Sequence, residues 1–362
     1  MSMVYERRLS RLREAMHEAG VDGMLITHAP NIRYLIATRA SGILFVCRDE
    51  SVFITDGRYD AQAHEEVKVA KVRITPRRKG YFDVAARLLN KYGVRNLGVE
   101  AEHLSVAQFD RLCNLTRGIK LHKLSGVVEQ MRAVKDDDEI ELLRKASAIA
   151  SDALEYALSL IRPGIRERDV AIEVERFIKS NDAEDVAFKL IVASGYRSAM
   201  AHGEASEKTI EAGELVVIDL GAVFSGYHSD ITRTVAVGRA SKKQRDAYAA
   251  VLEAQLTAIE GVKPNRTMKQ IESLARHKLR VKGVERYFKH GIGHGVGLEI
   301  HELPSPKEKD GGLLRSGCVI TVEPGIYFEG FGGVRIEDMV LVKQDGHEVL
   351  TRAQKPEELP VL

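Results

Sequence analysis

Five side chains in the C-terminal half of the chain combine residue types and local settings that could bind metal ions. They are four carboxylates and one imidazole on strand-like or glycine-rich segments: Asp219, Asp230, His294, Glu323 and Glu337. Carboxylates that point into a protein interior are unfavourable unless a cation neutralises them. One nitrogen with four carboxylates suits Mn²⁺, Co²⁺, Fe²⁺ or Zn²⁺ and differs from a thiolate zinc site. The set therefore predicts a centre of two divalent metal ions, which together generate a hydroxide and polarise a carbonyl oxygen for hydrolysis.

Asp219 and Asp230 lie in a segment that is typical of a β-hairpin with Ser225 and Gly226 at its turn. That turn pairs Asp219 with Thr232 and places the two carboxylates on one face, about 7 Å apart at the backbone. Both could bind one ion, and Asp230 could bridge to a second. The alternative is that both are solvated strand residues, but the apolar residues on either side of Asp219 favour the metal site.

The other two carboxylates belong to two later segments that are expected to be strands. Glu323 precedes Pro324, which ends its strand and fixes the carboxylate at the tip. Alternation places Arg335 and Glu337 on one strand face, where the cation could orient the carboxylate or bind substrate. The loop between these strands leaves their register open. Tyr327 is expected in a wall or core rather than in catalysis.

Several histidines accompany the carboxylates. His294 has glycines on both sides, which allow close approach of the backbone. A lone histidine is more often structural, but His290 and His301 lie close to His294 in the sequence and strengthen the hypothesis that His294 binds a metal ion. His202, in a polar loop, is by itself typical of a surface histidine. His228 stays unassigned, because a bulge could turn it away from the carboxylates.

Composition limits the broad class of protein. The 362 residues suit two domains, and 44% hydrophobic with 29% charged residues is ordinary for a soluble globular chain. A net charge of +2 gives no reason to expect nucleic acid or an anionic membrane as partner. Three scattered cysteines argue against a disulfide framework. The N-terminus carries charges throughout and no apolar core region, so we expect no signal peptide and a cytoplasmic protein.

The order of predicted elements indicates two domains. Residues 1–127 alternate helices and strands, which is typical of a compact α/β domain with a mixed sheet. A linker at 128–136 leads into a long amphipathic helix whose first turn is acidic. Within residues 137–362, two helices followed by strands occur twice, including an expected strand near 290–299. This order suggests an internal duplication, although no residue-level repeat supports it.

Motifs along nearly the whole chain together resemble one family. They are VIDLGAVFSGYHSDITRT, GHGVGLEIHE, VEPGIY, GGVRIEDMV, GRYDAQAHEE and MRAVKDDDEIELLRKA. These runs resemble the aminopeptidase P, prolidase and creatinase family, the "pita-bread" metallopeptidases. The resemblance implies an α+β fold, with a C-terminal pita-bread domain preceded by a smaller α/β creatinase-like N-terminal domain. The family's five ligands, in the order Asp, Asp, His, Glu, Glu, are all filled.

The resemblance assigns roles to the five ligands. Asp219 would chelate one ion, while Asp230 and Glu337 would bridge both. His294 and Glu323 would complete the second ion's set of ligands. Glu323 would also carry the proton of the attacking water.

The resemblance implies four further roles around the ligands. His202 and His301 would bind the scissile carbonyl region and the developing tetrahedral intermediate. His290 would lie in the substrate pocket. Arg335 would support the bridging glutamate.

The family's activity is hydrolysis of the bond between an N-terminal residue and a following proline. We expect an Xaa-Pro aminopeptidase with two ions per chain, Mn²⁺ or Co²⁺ ahead of Zn²⁺ or Fe²⁺. The alternative is an Xaa-Pro dipeptidase, although the run HELPSPKEKD has Ser305 and Pro306 where such dipeptidases commonly carry an arginine. A non-catalytic binding protein of the same fold should have lost ligands, and none is lost. The resemblance also implies peptide substrates with proline at the second position and a homodimer.

Overall fold

The computed structural model describes residues 2–362 and divides the chain into two compact units, with the division between Arg132 and Ala133. This division lies within the linker predicted at 128–136. The first unit ends with the short helix Val127–Arg132, and the second unit begins at Ala133. No helix among the described residues is long and apolar enough to cross a membrane.

The N-terminal unit is built on one mixed six-stranded sheet, as the alternation of helices and strands predicts. Its strand order is β4-β3-β2-β1-β5-β6, with β1/β5, β5/β6 and β3/β4 parallel and the other neighbours antiparallel. The strands are β1 (Gly23–Ile26), β2 (Ile43–Cys47), β3 (Ser51–Thr55), β4 (Lys71–Ile74), β5 (Asn96–Glu100) and β6 (Lys120–Leu124). The helices are α1 (Ser2–Glu18), α2 (Ala29–Ile36), α3 (Asp60–Glu66), α4 (Tyr81–Lys91), α5 (Val106–Leu115) and α6 (Val127–Arg132).

Helix α2 and strand β6 are absent from the sequence-based prediction. Helix α2 has only eight residues and no side-chain cap, but five of its residues are buried. Pro30 in the first turn is a local start signal, but a helix this short depends mainly on packing. Strand β6 is half-exposed and basic, and it gains its strand conformation by pairing with β5.

The C-terminal unit contains two helix pairs, each packed on its own strands. The helices are α7 (Asp137–Leu160), α8 (Glu167–Ser180), α9 (Lys242–Glu260) and α10 (Met268–Val281), with short 3₁₀ turns at Gly195–Ala199 and Glu285–Tyr287. Three of them begin with a capping box, in which Asp136, Ser241 and Thr267 each accept from the backbone three residues on. The predicted order of two helices and then strands, occurring twice, is confirmed.

Strands of the C-terminal unit form small antiparallel sheets. They are β7 (Asp185–Val186), β8 (Ile191–Ser194), β9 (Leu215–Leu220), β10 (Ala222–Phe224), β11 (Tyr227–His228), β12 (Ile231–Ala236), β13 (Val319–Val322), β14 (Gly325–Phe328), β15 (Gly332–Arg335), β16 (Asp338–Lys343) and β17 (Gly346–Val349). One apolar core joins α7 and α8 to β8, β9 and β12. A second joins α9 and α10 to β13, β14, β15 and β16. The strand ends between these cores position the predicted site.

The segment predicted as a strand near 290–299 does not form a regular strand, although residues 292–296 run antiparallel to β13. Glu323 N donates to the Ile292 oxygen and Thr321 N to the His294 oxygen, both at 2.8 Å, and Val296 N donates to the Val319 oxygen at 3.1 Å. Gly295 alone forms bridges, with Ile320 and Glu302. A side chain at Gly293 would come within 2.1 Å of the Thr321 carbonyl oxygen, and one at Gly295 within 2.3 Å of the Leu303 oxygen. The glycines therefore allow the backbone of this segment to lie close against β13 and the Leu303 backbone.

Candidate metal centre

The first hairpin has the register that its turn predicts. Ser225 and Gly226 both have positive φ, 48° and 84°, as a two-residue hairpin turn of this type requires. Asp219 pairs with Thr232, as expected. Asp219 is only 8% exposed and Asp230 only 5%. The hypothesis that both are solvated strand residues is therefore wrong.

The second hairpin supplies the register that the sequence left open. Strand β13 pairs with β16, and β14 pairs with β15, in one continuous register. The pairing is interrupted only between β13 and β14, where Pro324 lies. That register sets Glu323 opposite Glu337 at the break. A single pairing of Thr232 with Glu337 then joins the first hairpin to the second. The four carboxylates thus come together through a contact between the two halves of the unit.

His294 completes a cluster with the ligand geometry of a metal site. Ligand atoms of Asp230, His294 and Glu337 all lie within 4.8 Å of one another. The Nε2 atom of His294 lies 3.6 Å from Asp230 Oδ2 and 3.5 Å from Glu323 Oε1. Its other ring nitrogen, Nδ1, is 3.1 Å from the carbonyl oxygen of Gly295, so Nδ1 carries the proton. The lone pair of Nε2 is therefore directed at the carboxylates, as a metal ligand requires.

The carboxylates also leave oxygen atoms without a protein partner, which fits a bound cation. Thr232 Oγ1 donates to Glu337 Oε2 at 2.6 Å, and Arg335 Nη2 donates to Asp219 Oδ2 at 2.6 Å. Among the described residues, the remaining oxygens Asp219 Oδ1, Asp230 Oδ1 and Glu337 Oε1 are buried without a hydrogen bond. Buried polar atoms are rarely left unpaired. A divalent cation would satisfy all three.

Crowding of these carboxylates changes their acidity. Burial first, and then the charges of Glu337 and Asp219, raises the pKa of Asp230 well above its usual range. The pKa of Glu337 is raised in the same direction by burial and by Glu323. Burial and Asp219 raise the pKa of Glu323 to about 7, although Arg335 opposes the change. Burial lowers the pKa of His294 to about 4, so the imidazole is neutral near pH 7. The metal-free site therefore retains protons that a cation would displace.

Arg335 contacts a different carboxylate from the one expected. The resemblance implies support of the bridging glutamate, whereas the direct ion pair of Arg335 is with Asp219. It reaches Glu337 through Thr232, because Arg335 Nε donates to Thr232 Oγ1 at 3.2 Å. The hairpin register predicts Thr232 only as the partner of Asp219. Its position opposite that carboxylate is the signal that could have marked its hydroxyl as part of the site.

Tyr327 takes part in the same network through its hydroxyl. Its ring is buried, as expected of a wall residue, but the hydroxyl oxygen accepts from Arg335 Nη1 at 2.9 Å. His290 Nδ1 lies 2.8 Å from the Gly291 oxygen, so its Nε2 accepts the Tyr327 proton over 2.9 Å. A chain of hydrogen bonds therefore runs from Asp219 through Arg335 and Tyr327 to His290. The prediction of Tyr327 as only wall or core misses this hydroxyl.

The remaining histidines lie around the cluster. The rings of His294 and His301 meet edge to face with centroids 4.2 Å apart. Burial first, and then the charge of His202, lowers the pKa of His301. His202 follows Ala201, whose carbonyl oxygen accepts from Arg335 at 3.0 Å. His228 instead contacts the Gly297 oxygen through its backbone nitrogen.

Comparisons with known proteins show the family of the chain. Residues 141–344 match the description "Metallopeptidase family M24", and residues 8–134 match "Creatinase/Prolidase N-terminal domain". The chain is 41% identical to an Xaa-Pro dipeptidase of Pyrococcus furiosus, over 97% of this chain and 99% of that protein. The solved Xaa-Pro dipeptidase from Bacillus anthracis has a TM-score of 0.94 and 40% identity, covering 99% of this chain and 100% of that one. The X-Pro aminopeptidase from Thermotoga maritima has a TM-score of 0.89 and 36% identity, covering 98% and 99%.

Proposed function

Because the chain belongs to metallopeptidase family M24, we propose that it hydrolyses dipeptides whose second residue is proline, with two divalent metal ions at the centre. It is a metallo-exopeptidase with a creatinase-like α/β domain followed by a pita-bread domain. The cluster of Asp230, His294 and Glu337, with buried carboxylate oxygens left for a cation, carries the proposal. Relatives named Xaa-Pro dipeptidases at about 40% identity over almost the whole chain support the substrate class.

The dipeptidase proposal reverses the preference expected from the sequence. The lack of an arginine in residues 301–310 favours a peptide longer than a dipeptide, and on that ground the sequence favours an Xaa-Pro aminopeptidase. The named relatives favour the dipeptidase instead. An aminopeptidase remains the second candidate, because the Thermotoga maritima structure of that name is similar over 98% of this chain.

The proposed reaction depends on the groups already described. Asp219, Asp230, His294, Glu323 and Glu337 would hold the ions, with Asp230 and Glu337 shared between them. When bound, two divalent ions generate a hydroxide near neutral pH and polarise the substrate carbonyl. We propose Mn²⁺ or Co²⁺, for which this oxygen-rich set of ligands is suitable.

Proton transfer and substrate binding would use residues around these ligands. The carboxylate of Glu323, at the end of β13 and 3.5 Å from His294 Nε2, would take a proton from the attacking water and return it to the leaving nitrogen. His202 and His301 would hydrogen-bond the carbonyl oxygen as it gains charge. The bond before proline is a tertiary amide without an N–H, so binding cannot use that donor.

A comparison of two substrates tests the proposal. We would measure kcat/KM of the Mn²⁺- and Co²⁺-loaded protein on an Xaa-Pro dipeptide and on the matching Xaa-Pro-Yaa tripeptide, with Asp230→Asn as the blank. A higher value on the dipeptide supports the dipeptidase. A higher value on the tripeptide favours the aminopeptidase, and no hydrolysis of either rejects both. The homodimer implied by the family resemblance stays a prediction, which light scattering after gel filtration tests.

A further inference from the structure

One buried carboxylate binds both ends of the loop that carries His202. Glu167, the first residue of α8, is fully buried. Its Oε1 accepts from the backbone nitrogen and hydroxyl of Ser194 at 2.7 and 2.8 Å. Its Oε2 accepts from the backbone nitrogen and hydroxyl of Ser206 at 3.1 and 2.6 Å. Ser194 ends β8 and Ser206 follows His202, so Glu167 closes the loop 195–205 at its base.

A fifth hydrogen bond to Glu167 comes from inside the loop. Arg197 Nε donates to Glu167 Oε2 at 3.0 Å, and the Arg197 Nη2 atom donates to the Glu204 carbonyl oxygen at 2.6 Å. Hydrogen bonds to ionised groups are stronger than those between neutral groups. The carboxylate therefore fixes the loop at its two ends and, through Arg197, at a point within it.

The other side of the loop lies against the strand that carries Arg335. Gly333 N donates to Ser198 Oγ at 2.9 Å, and Arg335 Nη1 donates to the Ala201 oxygen. A side chain at Gly333 would come within 2.3 Å of the Ser198 carbonyl oxygen, so the approach requires glycine. On one side of the loop, Arg335 holds Ala201, the residue before His202. On the other side, Glu167 holds the two ends of the loop.

We propose that Glu167 is a positioning residue for His202, which sets the place of its imidazole beside the metal centre. The inference rests on the proposed function, because a contact between His202 and the substrate is part of that proposal. Apart from the 3₁₀ turn at Gly195–Ala199, the loop has no regular structure that would hold it. Ordering its backbone costs conformational entropy, which the hydrogen bonds to Glu167 offset.

Glu167→Gln tests the proposal with little change of shape. The amide oxygen can still accept from one end of the loop, but the amide nitrogen must then face the donors of the other end. The serine hydroxyls can rotate to accept from it, whereas the backbone N–H groups and Arg197 cannot. One end of the loop should therefore be released.

A double-mutant cycle with His202→Ala distinguishes positioning from a general loss of structure. We expect Glu167→Gln to lower kcat/KM about 10- to 100-fold in the wild-type chain, since small misplacements have effects of this size. In the His202→Ala background it should lower kcat/KM less than about twofold, because the group it positions is already absent. Metal content should stay unchanged in all four chains. Equal losses in both backgrounds, or no loss in the wild-type chain, would overturn the proposal.

Two further variants complete the test. Val174→Ala removes buried apolar contacts of the same helix and serves as the control, because it should lower the melting temperature without lowering kcat/KM. If Glu167→Gln does not fold, Ser206→Ala removes one donor to the same carboxylate and permits the same cycle with a smaller factor.

Hydrogen exchange separates failure of this inference from failure of the proposed function. We expect amides of peptides spanning residues 194–206 to exchange faster in Glu167→Gln than in the wild type, whatever the substrate. Unchanged exchange would overturn the positioning role even in an active enzyme. If the wild-type chain hydrolyses no Xaa-Pro peptide, the proposed function fails and the role of His202 in the inference fails with it, while faster exchange would still show that Glu167 orders the loop.

Discussion

Arg335 binds one carboxylate oxygen of Asp219 and leaves the other for a cation. The Nη2 atom of Arg335 donates to Oδ2 of Asp219 at 2.6 Å, whereas Oδ1 is buried without a hydrogen bond. The remaining guanidinium donors reach Thr232, Tyr327 and the backbone of Ala201. One planar cation thereby connects a carboxylate of the candidate metal centre to the Thr232 hydroxyl, which bonds Glu337, and to the loop that carries His202.

Arg335→Lys should disrupt this arrangement although the charge is retained. A lysine ammonium cannot reproduce the planar fork that reaches four groups at once. We expect kcat/KM to fall by about 100-fold, because Asp219 and the loop that carries His202 would both shift. Steady-state kinetics with metal analysis of the same preparation provides the measurement. Activity within threefold of the wild type would show that charge alone suffices.

Tyr327→Phe and Tyr227→Phe form a matched pair. Each substitution removes one buried hydroxyl. The hydroxyl of Tyr327 bonds His290 and Arg335, and that of Tyr227 bonds Glu139 at 2.9 Å. Both should destabilise the fold by roughly 1–3 kcal/mol, since a buried partner loses its hydrogen bond. Only Tyr327→Phe should lower kcat/KM, by about tenfold. Equal kinetic effects of the two substitutions would mean that the hydroxyl of Tyr327 has no part in the site.

The sequence predicts whatever depends on neighbouring residues. A turn at Ser225 and Gly226 is sufficient to fix the register between Asp219 and Thr232, because a two-residue hairpin allows only one pairing. The longer loop after Phe328 has no such signal, so the position of Glu323 opposite Glu337 becomes known only from the structure. The single pairing of Thr232 with Glu337 joins residues 105 positions apart and has no local signature at all.

Hydroxyl and imidazole partners are unpredictable for the same reason. Burial of Tyr327 follows from its strand, but its contacts with Arg335 and His290 depend on how three segments pack. The error at 290–299 has a different cause. Residues 292–296 hydrogen-bond along β13, but the glycine-rich segment leaves that line after Val296 and forms no regular strand. The family resemblance predicts His294 as a ligand, whereas periodicity gives no signal for it.

Asp230→Asn should reverse the order of stability between the metal-free and the loaded protein. In the metal-free chain, Asp230 is buried beside Glu337, Asp219 and Glu323, and its pKa is raised well above its usual range. Whether Asp230 ionises or takes up a proton on folding at pH 8, its burial costs free energy that a neutral asparagine does not, so the metal-free variant should melt above the metal-free wild type. With Mn²⁺ the wild type should melt higher, because the variant has lost a ligand. Calorimetry with EDTA or Mn²⁺ tests this, and the same order in both conditions would contradict it.

Stability of the metal-free chain should fall as the pH rises from 6.5 to 8. The pKa of Glu323 is raised to about 7 by burial and Asp219, so the stabilising contribution of its proton is complete below the unfolded pKa and is lost as the pH passes 7. Burial lowers the pKa of His294 to about 4, which makes stability rise with pH below the ordinary pKa of histidine. Above pH 6.5 this effect of His294 on stability is almost complete. We expect the melting temperature in EDTA to decline across this interval, and Glu323→Gln to make the decline shallower. The raised pKa values of Asp230 and Glu337 act in the same direction. Added Mn²⁺ should remove the decline in the wild type, because a bound cation keeps the carboxylates ionised. A melting temperature that is flat or rises in EDTA would show that Glu323 is ionised below pH 6.5 without metal.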